Sequence, residues 1–256
     1  MHSDALLSIR GLSKSFGALK ASDNITLDVD DGELHAVIGP NGAGKTTMIA
    51  QICGQLEPDT GTVLFAGQNI TSVPQQERPA IGLVRSFQIT SIFPDFTAIE
   101  NVAMAVQLNA GHSFQFIAPA ATDSDLVGPA KTHLEQVGLA DQAAVMAFAL
   151  SHGQQRRLEL AMALALKPRL LVLDEPMAGM GAEETAGVVQ FLKGLKGKIS
   201  MLLVEHDMDA VFALADRVSV LVYGRVIASG APQDIRRDQA VIDAYLGSGD
   251  EEEEHA

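Results

Sequence analysis

Between the apolar run Leu34 to Ile38 and a stretch of helical character over residues 45–53 stands Gly39-Pro40-Asn41-Gly42-Ala43-Gly44-Lys45-Thr46. It fits the pattern G-x-x-x-x-G-K-[ST] in full, and a strand before it with a helix after it is the context that pattern requires. Such a chain is committed to a strand that delivers a tight turn to a helix N-terminus. Glycines let successive backbone N–H groups face one point without a β-carbon in the way, and the helix end adds partial positive charge there. That point suits a phosphate, with Lys45 on the β and γ phosphates and the Thr46 hydroxyl on Mg2+.

Three further stretches fit the same site. Leu170-Leu171-Val172-Leu173-Asp174-Glu175 is a buried-strand pattern ending in two carboxylates, and in open α/β sheets ligands sit at the carboxyl ends of the strands. Asp174 suits a contact to Mg2+ or its water, and Glu175 suits a general base that polarises an attacking water. Leu202-Leu203-Val204-Glu205-His206 repeats the arrangement and places His206 at a strand end, in reach of a γ-phosphate. A metal cluster of Glu205, His206 and Asp207 is disfavoured, because three adjacent positions do not converge easily from a strand end. Ser151 and Gln154, in Leu150-Ser151-His152-Gly153-Gln154-Gln155, have capping-box spacing. A helix start with a serine hydroxyl and a glycine is also an anion site.

Around these motifs the chain divides by pattern. Short strands and turns come first, over 6–10 and 25–29, with an Asp31-Gly32 turn. Residues 88–168 turn to long Ala-, Leu-, Val- and Gln-rich stretches, with helices expected over 99–108, 128–137 and 154–167. After Pro168, strands over 170–173, 200–204 and 218–222 alternate with helices over 182–195 and 208–215, which implies a parallel sheet covered on both faces. Tyr223-Gly224 then turns the chain into a closing hairpin strand over 225–228. The expected fold is α/β: a phosphate-loop NTPase core with a mostly parallel sheet, an N-terminal antiparallel β subdomain and an inserted helical subdomain. One domain over 1–247 is expected, followed by an acidic, disordered tail over 248–256.

Composition excludes several functions. A net charge of −14 leaves no general basic face for nucleic acid or anionic lipid. With 47% hydrophobic residues the chain fills a substantial core. The longest apolar run, 143–150, is well short of the roughly 18 residues that cross a bilayer, and the start shows no signal-peptide pattern. The single cysteine, Cys53, forbids an internal disulfide and is expected as a small core residue inside the helix after the glycine loop.

In this order the stretches resemble the nucleotide-binding subunit of an ATP-binding-cassette (ABC) transporter, over the chain to about Gly247. Residues 39–47 resemble the Walker A loop, Gln88 in Arg85-Ser86-Phe87-Gln88 the Q-loop, 150–154 the signature, 170–175 Walker B, and His206 the switch histidine. Phe16, in Ser15-Phe16-Gly17, falls where that family places an aromatic on adenine. The resemblance implies ATP and Mg2+ as ligands. Phe16, Asn41, Gly42, Gly44, Lys45, Thr46 and Thr47 would hold nucleotide on one chain, and Ser151, Gly153 and Gln154 would meet the nucleotide of another. The metal would lie by Thr46, Gln88 and Asp174, and Glu175, His206, Gln88 and Lys45 would serve hydrolysis. Two ATP molecules would be sandwiched between two such subunits, the partner being a second copy or a paralogue. Closure would pass through Gln88 to integral membrane permease subunits, fed by a substrate-binding protein. The chain would then be peripheral on the cytoplasmic face of the inner membrane, and it would contact no nucleic acid.

The wording of residues 38–47, 153–159, 205–208 and 241–247 is similar to the branched-chain amino-acid uptake ATPases, with urea uptake ATPases sharing much of it and lipopolysaccharide-export ATPases more distant. A soluble ABC protein of the chromosome or translation type is the alternative from another class. The chain has neither the sustained heptads of the first nor the two cassettes of the second. A non-hydrolysing regulator is opposed by the presence of Glu175 and His206. Two departures stand out: His152 replaces the usual signature glycine, and Gly181 replaces the aspartate that many relatives carry after Walker B, which implies weaker side-chain coupling between the two sites.

Overall fold

The computed structural model describes residues 5–86, 92–109 and 124–246. Alternating and continuous apolar strands sort into two sheets. The first is antiparallel, in the order β2-β1-β4-β5, with β1 Ala5–Phe16, β2 Leu19–Asp30, β4 Thr60–Phe65 and β5 Gln68–Asn69. The second, in the order β10-β9-β3-β8-β7-β6, has β3 Leu34–Ile38, β6 Leu83–Arg85, β7 Leu170–Asp174, β8 Ser200–Val204 and β9 Arg217–Val222 running parallel. Only β10 Arg225–Gly230 is antiparallel in it. This is the expected mostly parallel sheet joined to an N-terminal antiparallel one.

Every residue of β3, β7 and β8 is buried, so successive side chains feed two different cores. Ala36, Leu171, Leu173 and Leu203 face the helices α2 Ala98–Asn109, α3 Ser124–Gln136, α4 His152–Ala165, α5 Ala182–Leu195 and α6 Met208–Leu214. Val37, Leu170, Val172 and Leu202 face α1 Lys45–Ile52 and the antiparallel sheet. The chain closes with α7 Pro232–Ile235 and α8 Gln239–Leu246. No helix among the described residues is long and apolar enough to cross a membrane.

Some boundaries differ from the sequence reading for local reasons. Helix α4 starts at His152 because Ser151 and Gln154 do form the capping box. Helix α3 starts at Ser124 and contains Pro129; in its second turn the proline forfeits a single i−4 bond rather than ending the helix. Cys53 caps α1 from just outside it and is buried, its thiol pushed up to about 12 by burial, which makes it inert. The acidic tail and the middle of the inserted segment lie outside the described residues.

Arg78 was not anticipated. It is 1% exposed and donates to the backbone carbonyls of Ile70 (2.9 Å), Val73 (3.0 Å), Gln51 (3.4 Å) and Ile52. The last two end α1, where a cation complements the helix dipole. The helix that leaves the glycine loop is thus fixed at its far end.

Buried His35 bridges the sheets, its ring nitrogens 2.9 Å from the Asp28 carbonyl and 2.8 Å from Ser219 Oγ. Burial, then the Arg217 charge, lowers its pKa from 6.5 to about 4. Between those values the unfolded chain takes up a proton that the folded chain refuses, so stability is full above about pH 6.5 and falls as pH drops towards about 4. By about pH 4.5 the loss attributable to His35 should be about 2–3 kcal/mol. Urea unfolding at about pH 7.5 and about pH 4.5 should show this loss in the native chain and a smaller one in His35→Gln. Equal losses would remove His35 as the cause.

Candidate functional site

The loop from Gly39 to Gly44 leaves the carboxyl end of β3 and enters α1 at Lys45. Gly44 is obligatory: its φ is +101°, and a β-carbon there would stand 2.1 Å from the Ala21 carbonyl oxygen. The loop is braced from below by the β9–β10 turn, where Gly224 N–H donates to the Ala43 carbonyl at 2.8 Å. Tyr223 and Gly224 both take positive φ, 46° and 76°, as a two-residue hairpin turn of this type demands. Lys45 is buried, and its Nζ donates to the Gly39 carbonyl (2.7 Å) and the Pro40 carbonyl (3.0 Å). Burial lowers its pKa, while the charges of Glu175 and Asp174 oppose that shift. Asn41, Gly42 and Thr46 are exposed, and Thr47 is half-buried.

The parallel register sets Asp174 of β7 opposite Val204 of β8, and Val204 opposite Val37 of β3. Three strand ends therefore open on one edge, carrying the glycine loop, Asp174-Glu175 and Glu205-His206. Asp174 is 2% exposed; its Oδ2 pairs with Arg85 at 2.7 Å, and its Oδ1 is buried without a hydrogen-bond partner. Glu175 is half-buried and turns the chain at φ 48°, its N–H donating to the Val204 carbonyl at 2.9 Å. Positive φ at a residue of this type is uncommon and aims its side chain off the strand line.

Glu205 is a residue whose role the sequence reading missed. Fully buried, its carboxylate accepts the N–H groups of Met177 (3.0 Å) and His206 (2.9 Å). It pins the segment after Glu175 to the segment carrying His206. The signal was present, since a carboxylate ending an apolar strand in a core sheet needs donors. His206 itself exposes 63% of its side chain, and Asp207 caps α6 by accepting Ala210 N–H at 3.0 Å. No group of three His, Cys, Asp or Glu among the described residues is placed to hold a metal.

Ser151 and Gln154 satisfy each other at the start of α4, with Ser151 and His152 exposed. Gly153 is buried beneath Glu184, and a β-carbon on it would stand 2.2 Å from Glu184 Oε1. Gly181 N–H reaches Glu184 Oε2 at 3.4 Å. The described contacts of this segment are thus made with α5 rather than with the glycine loop. Phe16 ends β1 with 51% of its surface exposed. Gln88 lies outside the described residues.

This edge is that of a phosphate-loop nucleotide-binding domain. Residues 22–178 match the ABC transporter family, and residues 225–251 match the family described as branched-chain amino acid ATP-binding cassette transporter. The high-affinity branched-chain amino acid transport ATP-binding protein LivG of Escherichia coli K12 is 38% identical over 96% of this chain and 99% of its own length. The corresponding protein BraF of Pseudomonas aeruginosa is 36% identical over 94% and 98%. Among solved structures, an ABC-transporter cassette in its ADP conformation is similar at TM-score 0.84 and 30% identity, covering 96% of this chain and all of that one. A dimeric cassette in a post-hydrolysis state with ADP and Pi shares the fold at TM-score 0.75 and 24% identity, covering 88% and 98%. The chain belongs to the ABC transporter family.

Proposed function

We propose that this chain hydrolyses ATP to drive a membrane importer of branched-chain or other hydrophobic amino acids. The observation that carries the reading is the common edge where Lys45, Asp174-Glu175 and His206 leave three adjacent strand ends. The terminal match over 225–251 and the names of the full-length relatives favour the amino-acid substrate class over urea or lipopolysaccharide.

In this reading Lys45 and the loop amides hold the β and γ phosphates, and Phe16 stacks on the base. Glu175 accepts a proton from water as its oxygen attacks the γ-phosphorus, and the β–γ bridging oxygen leaves with ADP. His206 contacts the γ-phosphate, and Gln88 would serve the metal and the attacking water. Thr46 and Asp174 supply hard oxygens, and the buried, unpartnered Oδ1 of Asp174 fits a Mg2+ ion or its water. These oxygens would hold Mg2+, which when bound would supply positive charge against that developing on the phosphates. Ser151, Gly153 and Gln154 would complete the site of a second ATPase subunit.

Permease subunits would dock on an apolar surface of the helical subdomain. Phe93 and Phe96, with ring centroids 5.6 Å apart, and Phe148 leave 45%, 41% and 62% of their surfaces exposed there. Phe148 N–H donates to the Pro94 carbonyl at 3.1 Å, which brings its backbone beside the Phe93–Phe96 turn; exposed apolar side chains grouped in this way mark interfaces. This attachment would place the chain on the cytoplasmic face of the membrane. Purification from native membranes tests it: permease subunits should copurify, and recovery of no membrane protein would favour the soluble ABC alternative.

For the base contact, Phe16→Ala should weaken ATP binding by about 1–3 kcal/mol, the worth of one stacked base. Calorimetric titration with ATP checks this, and an unaltered dissociation constant would remove Phe16 from the site.

A further inference from the structure

The hydrolytic scheme leaves Arg85 without a role, yet it touches the residue assigned to the metal. Strand β6 ends at Arg85 beside β7, with Arg85 paired to Val172 and Ser86 N–H donating to the Val172 carbonyl at 2.8 Å. From there the guanidinium reaches Asp174 Oδ2 at 2.7 Å and also donates to Gln55 Oε1. The two side chains are only 10% and 1% exposed. Arg–carboxylate pairs are frequently two-pronged. This one is single-pronged, and it leaves Arg85 Nε and Asp174 Oδ1 both buried with no hydrogen-bond partner.

We propose that Arg85 is a positioning residue that competes with the divalent cation for Asp174 and so limits how tightly the site holds that cation. The proposal rests on the reading of Asp174 as a metal-site carboxylate. One buried carboxylate between a guanidinium and a dication binds each less well in the presence of the other, because the two positive charges repel across a short, poorly screened distance. The backbone of β6 is fixed by its ladder, so the exchange is made by the Arg85 side chain.

The test is Mn2+ binding to the ADP-loaded protein, read from the electron paramagnetic resonance signal of free Mn2+, together with thermal unfolding with and without Mn2+. Arg85→Gln should bind Mn2+ about five- to tenfold more tightly than the native chain, as expected for loss of a competing charge of this size. Its unfolding temperature should also rise more on Mn2+ addition. Arg85→Lys, which keeps one charge but loses the fork, should tighten Mn2+ binding by less, and it decides the matter if Arg85→Gln does not fold. Mn2+ affinity equal to or weaker than native in these variants, with an unfolding temperature lowered equally with and without Mn2+, would overturn the proposal and leave Arg85 a structural residue. Asp174→Asn separates the two levels. If it binds Mn2+ as the native chain does, the reading of Asp174 fails and the proposal with it. If it loses Mn2+ while the Arg85 variants match the native chain, only the Arg85 proposal fails.

Discussion

Glu175→Gln should bind ATP as the native chain does and turn it over at least about 100-fold more slowly, the usual worth of a positioned general base. The substitution is isosteric. The backbone contacts that hold residue 175 at φ 48° are its N–H to the Val204 carbonyl and its carbonyl accepting Ala178 N–H at 3.1 Å. Neither involves the side chain, so the loop shape survives. What is lost is the ability to take a proton from water, and ATP-bound subunits should therefore accumulate as a dimer. Steady-state phosphate release and gel filtration with ATP read both effects. Full hydrolysis by this variant would remove Glu175 from the role of base.

Lys45→Ala should lose ATP affinity by about 100-fold or more, because the amine makes charge-assisted bonds to the β and γ phosphates worth about 1.5–3 kcal/mol each. The structure points the amine at the loop already, through its bonds to the Gly39 and Pro40 carbonyls. Removing it also takes its donor from the Gly39 carbonyl and leaves the Pro40 carbonyl with Ala43 N–H alone, at 3.2 Å, so unfolding should move to lower temperature without loss of the fold. Calorimetric titration with ATP and a thermal scan of the same sample separate the two consequences. Native affinity in Lys45→Ala would contradict the placement of phosphate on this loop.

The parts of this site that were legible in sequence are those where one strong constraint acts locally. Strands β3 and β8 match their expected residues, and β7 extends only to Asp174, because continuous apolar runs end at glycine or acid. The Tyr223-Gly224 turn was legible for a similar reason. By contrast, β1 and β2 run well past the expected residues 6–10 and 25–29. Their outer stretches hold polar residues such as Lys14, Lys20 and Ser22, whose strand geometry comes from cross-strand pairing interrupted by register shifts. Arg78 and Arg85 look in sequence like surface cations. Their partners, the end of α1 and Asp174, are brought to them only by the tertiary fold. Contact between Gly153 and Glu184 is likewise a meeting of α4 with α5 that no local pattern encodes.

In the function proposed above, ATP hydrolysis at the β3–β7–β8 edge drives amino-acid import. Its most direct test is uptake of labelled leucine by vesicles holding the chain with its copurified permease subunits and binding protein. Uptake should require ATP inside the reaction with the cassette, should be abolished by Glu175→Gln, and should exceed any uptake of labelled urea. Leucine uptake that is indifferent to ATP or to Glu175→Gln, or ATP-driven uptake of urea in place of leucine, would contradict it.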